Sequence, residues 1–273
     1  VTGLAEIGAD LLGGRLAGTR AMNGGQLSRL VGIVLADGRE AVVKDGPDPL
    51  AEAAMLRAIA ASGAPAPRIL AADARALVME RLPADAGSGA DAGSGADADL
   101  GRAVARLHAA TGARYGWDRD YAFGPVAIPN GASADWPAFF AERRLAPHLP
   151  HLEPGLARRV EALAAALPAR LPARPRPALL HGDLWSGNVL RHGARVTGLI
   201  DPACHYGHAE VDLAMLALFG GPGPAFRAAY GPAEPGFAER VPIYQLWPAL
   251  VHLRLFGSGY RSLVEARLAA AGA

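Results

Sequence analysis

The sequence predicts an α+β chain in two lobes. The small N-terminal lobe carries an antiparallel sheet and one main helix, and the larger C-terminal lobe is mostly helical. Three observations carry this. Short apolar runs separated by turn residues, Asp37-Gly38 foremost, crowd the N-terminal third. A repeat, ADAGSG at Ala84–Gly89 and again at Ala90–Gly95, then breaks the composition. Beyond it, apolar residues recur at helical rather than alternating spacing. The expected boundaries are residues 1–82 for the first lobe and its hinge, 83–98 for a flexible Ala/Asp/Gly/Ser linker, and 99–273 for the second lobe.

Composition narrows the function classes. With 27 basic against 26 acidic residues and no basic block, a nucleic-acid partner is not expected. No apolar run is long enough to span a membrane, so a cytoplasmic protein is expected, a monomer first and a homodimer as the alternative. Cys204 is the single cysteine, which leaves no intrachain disulfide and no cysteine zinc site. Of the 27 basic residues 26 are arginine, and Lys44 is the only lysine. A chain that uses arginine wherever charge alone suffices keeps a lysine where a compact ammonium on a flexible stem is needed.

Leu4, Ile7, Leu11 and Leu12 mark a first helix, ended by Gly13-Gly14. Val31–Lys44, VGIVLADGREAVVK, reads as two strands joined at Asp37-Gly38, with Lys44 closing the second. Just before them, Asn23-Gly24-Gly25 offers backbone N–H groups able to approach a triphosphate, with an ordinary turn as the competing reading. Pro49–Ala60 is helical, with Leu50, Ala53, Ala54, Leu56 and Ile59 as its apolar face. Glu52 in its first turn either orients Lys44 or simply complements the helix dipole. Arg68–Ala72 and Ala76–Glu80 are two further strands; backbone groups at Glu80 and Leu82 stand where a two-lobed nucleotide enzyme would meet adenine.

In the second lobe Asp99 is expected to cap a helix carrying Leu100, Val104 and Leu107, with His108 at its end under the central loop. Gly112–Asn130 is a long connection whose aromatics either line a cleft or anchor the loop. Trp136–Leu145 reads as a helix with Phe139 and Phe140 buried and Arg143-Arg144 at its end. Leu156, Val160, Leu163 and Leu167 form a helical stripe stopped by Pro168 and Pro172, and Glu210–Leu218 is a further helix. Pro248 implies a kink or a helix start within Tyr244–Tyr260, where His252 is read as structural.

The chemistry concentrates in Leu179–Asp201, LLHGDLWSGNVLRHGARVTGLID. Val189–Leu190 and Val196–Ile200 read as strands turning at His192-Gly193, which brings Asp201 back towards Asp183 and Asn188. Two carboxylates and an amide are what magnesium-assisted phosphoryl transfer needs, with one group to take a hydroxyl proton and two to hold the metal.

The order of these parts resembles the protein-kinase-like fold in its aminoglycoside and choline phosphotransferase branch, and is most similar to the fructosamine kinase (ketosamine 3-kinase) family. HGDLWSGN at His181–Asn188, ExDLAM at Glu210–Met215, LFGG at Leu218–Gly221, WPAFFAERRL at Trp136–Leu145 and HLRLFGSGY at His252–Tyr260 carry the resemblance. It implies an ATP-dependent kinase using Mg²⁺ to phosphorylate the 3-hydroxyl of fructosamines and ribulosamines, on small amines or glycated proteins, leading to deglycation. The alternative is a small-molecule hydroxyl kinase of the same branch with another substrate. By the resemblance Asp183 is the base or hydroxyl-orienting group, Asn188 and Asp201 hold Mg²⁺, and Lys44 holds phosphate and is held by Glu52. His181 braces the loop, and Trp185 is the face for the open-chain sugar, or else a loop anchor. Apart from the resemblance, Asp212 near the start of the Glu210–Leu218 helix either accepts from the loop at His181–Asp183 or is a helix-start charge. Some members carry a cysteine in the glycine-bearing turn; Met22-Asn23-Gly24-Gly25 has none, so thiol control is not expected there.

Overall fold

The computed structural model describes residues 2–22, 28–85 and 93–273, so the turn at Asn23, Gly24 and Gly25 and most of the repeat lie outside the described residues. The N-terminal lobe runs α1 (Thr2–Leu11), β1 (Leu16–Ala21), β2 (Leu30–Leu35), β3 (Glu40–Lys44), α2 (Pro49–Ala61), β4 (Ile69–Ala72) and β5 (Leu77–Met79). Its strands form one antiparallel sheet in the order β1-β2-β3-β5-β4. Because successive strand residues face opposite sides, the sheet buries two faces. Val31, Ile33, Val43 and Val78 take Leu4, Ala5 and Ala9 of α1 on one face. Val42, Leu77 and Met79 take Ala53, Met55, Leu56 and Ile59 of α2 on the other. Asp48 caps α2 by accepting from the Ala51 N–H at 2.9 Å, and Pro49 opens the helix with its φ already set.

The C-terminal lobe contains α3 (Ser94–Ala109), β6 (Tyr121–Phe123), β7 (Val126–Ile128), α4 (Trp136–Phe140), α5 (Pro154–Arg170), β8 (Ala178–Leu180), β9 (Val189–His192), β10 (Arg195–Leu199), β11 (His205–Gly207), α6 (Glu210–Leu218), α7 (Pro224–Tyr230), α8 (Phe237–Phe256) and α9 (Arg261–Ala270). The α5 stripe is buried as its spacing requires, against Trp136, Phe139, Phe140 and the apolar faces of α8 and α9. Trp136 donates its indole N–H to the Tyr244 hydroxyl at 2.9 Å, which satisfies the one polar atom of that ring in a dry core. The cluster under α2 does not end at the lobe boundary. Leu100, Val104 and Leu107 of α3 join it, with Leu179, Leu184, Val189 and Leu199 from around the central loop. Each fully buried leucine of this kind contributes about 2 kcal/mol, so the lobes are held by a shared core as much as by the chain.

Several expectations need correction. α3 begins at Ser94, so Asp99 lies inside the helix; its carboxylate accepts from the Val196 N–H at 2.8 Å and ties α3 to the β9–β10 hairpin. Leu50 faces outward, 44% exposed, and Met55 takes the buried position on α2. The Gly112–Asn130 connection contains the β6–β7 hairpin. The helix from Trp136 is α only to Phe140, then a π turn over Ala141–Leu145 and a 3-10 turn over Ala146–His151. α5 continues through Pro168, and α8 through Pro242 and Pro248. Among the described residues no helix is long and apolar enough to cross a membrane.

Candidate active site

Strand β8, paired with β11, delivers the chain into His181-Gly182-Asp183. The turn is built around Asp212, a buried carboxylate in the first turn of α6. It accepts from the His181 N–H at 2.7 Å, the Gly182 N–H at 3.0 Å and His108 Nε2 at 3.1 Å. A carboxylate only accepts, so the His108 proton sits on Nε2 and Nδ1 receives the Tyr230 hydroxyl at 2.9 Å. Burial alone would raise the Asp212 pKa, but these donors outweigh it and hold the group below the ordinary carboxylate value. Gly182 has φ 80°, and a Cβ there would collide with the Ala203 carbonyl, so only glycine makes this turn. His181 is buried and kept neutral by that burial; Nε2–H donates to the Ile200 carbonyl at 3.0 Å, and Nδ1 accepts from the Asp183 N–H at 3.3 Å.

A 3-10 turn over Ser186–Asn188 folds the Asn188 amide back, where Nδ2 donates to the Asp183 carbonyl at 2.8 Å and to Asp183 Oδ2 at 3.0 Å. The β9–β10 hairpin then returns Asp201 to the same place. Asp201 has φ 55° and is the only non-glycine residue in the left-handed region among the described residues. Such a backbone costs about 1–2 kcal/mol and persists where the surroundings enforce it, commonly at functional sites. Across from it, Lys44 at the end of β3 places Nζ 2.9 Å from Asp201 Oδ1 and 2.6 and 2.8 Å from the two oxygens of Glu52 on α2. Burial works against the ammonium, but the two carboxylates outweigh it and raise the Lys44 pKa. The Asp183 pKa is pushed up to about 7, chiefly by burial and further by Asp201 and Asp212, against the pull of Asn188 and Lys44.

Lys44, Glu52, Asp183, Asn188 and Asp201 therefore meet at one point between the lobes, with His181 and Asp212 beneath. Trp185 stands at the rim, 39% exposed. At the hinge the Glu80 N–H already donates to the Arg68 carbonyl at 2.9 Å, so Glu80 has only its carbonyl to offer a base. The Leu82 side chain lies over Gly198 of β10. A separate group, His208, Glu210 and Glu234, could gather a cation by proximity alone. Part of that set is already engaged: Arg240 holds both oxygens of Glu210 at 2.6 and 2.7 Å, and His208 Nδ1 bonds the Tyr244 hydroxyl at 2.8 Å, which leaves His208 Nε2 facing Glu234 at 3.4 Å.

The fructosamine kinase family model matches residues 50–271. A solved protein of Thermobifida fusca assigned as a fructosamine-3-kinase superposes with a TM-score of 0.88 at 35% identity, covering 99% of each chain. The chain belongs to the fructosamine kinase family. A protein of Synechocystis sp. assigned as a ketoamine kinase is 41% identical over 186 residues, 62% of this chain and 60% of that one. The match thus spans about three fifths of the length of the curated relatives. A macrolide 2'-phosphotransferase of Brachybacterium faecium, 22% identical over 98% of each chain with a TM-score of 0.65, shares the fold. The two-lobed, protein-kinase-like architecture expected of the fructosamine kinase family is the one observed.

Two residues were read only in part, Tyr121 among the aromatics that either line a cleft or anchor their connection, and Arg144 as a charge. Burial, with Glu52, Asp201 and Asp48 nearby, raises the Tyr121 pKa, which sets its hydroxyl beside the same acidic cleft; its place on a three-residue strand gave no periodic signal. Arg144, read as a helix-end charge, is fully buried between the faces of Phe139 and Trp247, each 4.8 Å away. It holds the loop before α4 through the Pro129 carbonyl at 2.6 Å and Asn130 Oδ1 at 2.7 Å. Among the residues that position the fructosamine kinase loop, Asp212 holds the most donors. Asp212→Ala strands three buried donors and should cost roughly 3 kcal/mol, lowering Tm by about 6 °C or more with a fall in kcat. Thermal melts alongside turnover check this; an unchanged Tm would show that the loop stands without its brace.

Proposed function

We propose that this chain is an ATP-dependent kinase that phosphorylates the sugar 3-hydroxyl of ketosamines, fructosamine or ribulosamine adducts of small amines or glycated proteins, and so initiates deglycation. The observation that supports it best is the meeting of Lys44 from one lobe with Asp201 from the other, beside Asp183, in a chain of the fructosamine kinase family.

The donor set fits a magnesium-bound triphosphate. Both contacts of Asn188 use its amide nitrogen, leaving Oδ1 as a hard oxygen ligand, and Lys44 occupies only Oδ1 of Asp201. When bound, MgATP supplies the transferable phosphoryl group and the neutralisation of its oxygens. Asn188 and Asp201 would hold the metal, and Lys44, kept charged by Glu52, would hold phosphate. Asn23, Gly24 and Gly25 would offer backbone N–H groups, and the Glu80 carbonyl and Leu82 would meet the base. Asp183 orients the acceptor hydroxyl and takes its proton on the oxygen that Asn188 leaves free. A sugar hydroxyl is too weak an acid to be ionised beforehand, so that proton moves as the new P–O bond forms. His181 and Asp212 keep Asp183 aimed, and Trp185 offers a ring face to the open-chain sugar. The cytoplasm, which supplies ATP, is the proposed compartment.

Fructosyl-lysine, ribulosyl-lysine and an aminoglycoside, each followed by ADP release and product mass, form the decisive panel. Turnover of a ketosamine with a mass gain of one phosphoryl group is expected. Turnover of the aminoglycoside alone would replace this reading with that of another hydroxyl kinase.

A further inference from the structure

We propose that a row of exposed aromatic rings running outward from Trp185 binds the amine-bearing arm of the ketosamine, and takes an alkylammonium chain such as a lysine side chain in preference to a short amine. The proposal rests on the kinase reading above and extends it to the part of the substrate that does not react.

Trp185 meets Phe219 edge-on at 6.5 Å, and Phe219 meets His252 at 5.2 Å. His252 in turn packs on Phe256 at 5.5 Å and Tyr260 at 5.1 Å. Trp185, Phe219 and Phe256 are 39%, 42% and 41% exposed, and only Leu50 joins them as an exposed large apolar side chain among the described residues. Three of four such side chains are thus joined ring to ring through His252, in a chain of contacts whose first member stands two residues along the sequence from Asp183. Scattered exposed apolar residues need no explanation, but a contiguous row opening on a reactive group does. The two helices that carry it are arranged alike: α6 and α8 lie side by side and both run out into an exposed phenylalanine followed by glycine, Phe219-Gly220 and Phe256-Gly257.

The chemistry of the row selects its occupant. The ketosamine nitrogen sits two carbons from the reacting oxygen's carbon and is a cationic secondary amine near neutral pH. Ring faces attract such a cation and cover the hydrocarbon stem behind it. His252 donates Nδ1–H to the Pro248 carbonyl at 2.8 Å, which leaves Nε2 as an acceptor on a neutral ring. Among the described residues no carboxylate is hydrogen-bonded or ion-paired to any of the five rings. Recognition therefore falls to ring faces, and it grows with the length of chain laid along them.

The test uses the full chain with MgATP and two substrates, the ribulose adducts of methylamine and of hexylamine. The hexylamine adduct should be preferred about tenfold in kcat/KM, the difference residing in KM. In Phe219→Ala/Phe256→Ala the ratio should fall to about two or below, whereas Phe256→Tyr should keep it. Should the double variant fold poorly, Phe256→Ser alone, with hexylammonium as a competitive inhibitor of the ketosamine, reads the same contact as a weakened Ki. Equal kcat/KM for the two adducts, or a preference that survives loss of both phenylalanines, would overturn the proposal while leaving the kinase reading intact. Turnover of neither adduct would overturn both.

Discussion

Asp183→Asn is expected to lower kcat by about a thousandfold while changing the KM for ATP less than about threefold. The two side chains have the same shape, so Asn188 still has an oxygen to bond and the turn over Asp212 is untouched. What disappears is the one group placed to accept a proton, and that interaction matters only as the hydroxyl reacts. The unsubstituted residue is also tuned for proton transfer, because a pKa of about 7 makes it a better acceptor than an ordinary surface carboxylate. Steady-state kinetics with both substrates saturating would show the split. Turnover within about tenfold of the unsubstituted enzyme would remove Asp183 from the chemistry.

The second large effect belongs to Lys44→Met, where activity and stability should fall together. Loss of the ammonium should lower kcat/KM for ATP by about a hundredfold or more, the usual consequence of deleting one charge-stabilising donor. It also leaves Glu52, 2% exposed, without its partner, at a cost of about 3 kcal/mol. Burial already raises the Glu52 pKa, and without Lys44 it should rise further. A group whose folded pKa lies above its unfolded value stabilises at low pH and loses that contribution as pH rises through the folded value. Melts of the variant against pH should therefore diverge from the parent most at the alkaline end. A variant that melts like the parent and keeps its ATP kinetics would show that Lys44 serves neither purpose.

The parts most legible in the sequence were those where chemistry and spacing coincide. The HGD loop, the hairpin at His192-Gly193 and the helix carrying Glu52 each have a local pattern strong enough to place it, and the α5 stripe buried all four of its leucine and valine positions. What escaped depends on partners far along the chain. β1 is an edge strand whose residues are mostly exposed, so it lacks the apolar alternation that marks a strand. β11 exists only because β8 pairs with it. The start of α3 was hidden in the repeat, where glycine and serine argue for a linker, yet Ala96 is buried and Asp97 accepts from the Gly223 N–H at 2.7 Å. Arg144 misled for the opposite reason. A charge is normally read as surface, and nothing local announces two aromatic faces closing over it. Pro248 is not a helix start: α8 runs on through it, because packing against α6 and α9 outweighs the hydrogen bond it removes.

Lys44 has one more consequence. Reducing sugars attack unprotonated, accessible side-chain amines, and this sequence offers a single candidate, buried and locked between two acids. A chain proposed to undo sugar damage thus carries a single lysine of its own for sugars to damage. It would work in a sugar-rich milieu without becoming its own substrate.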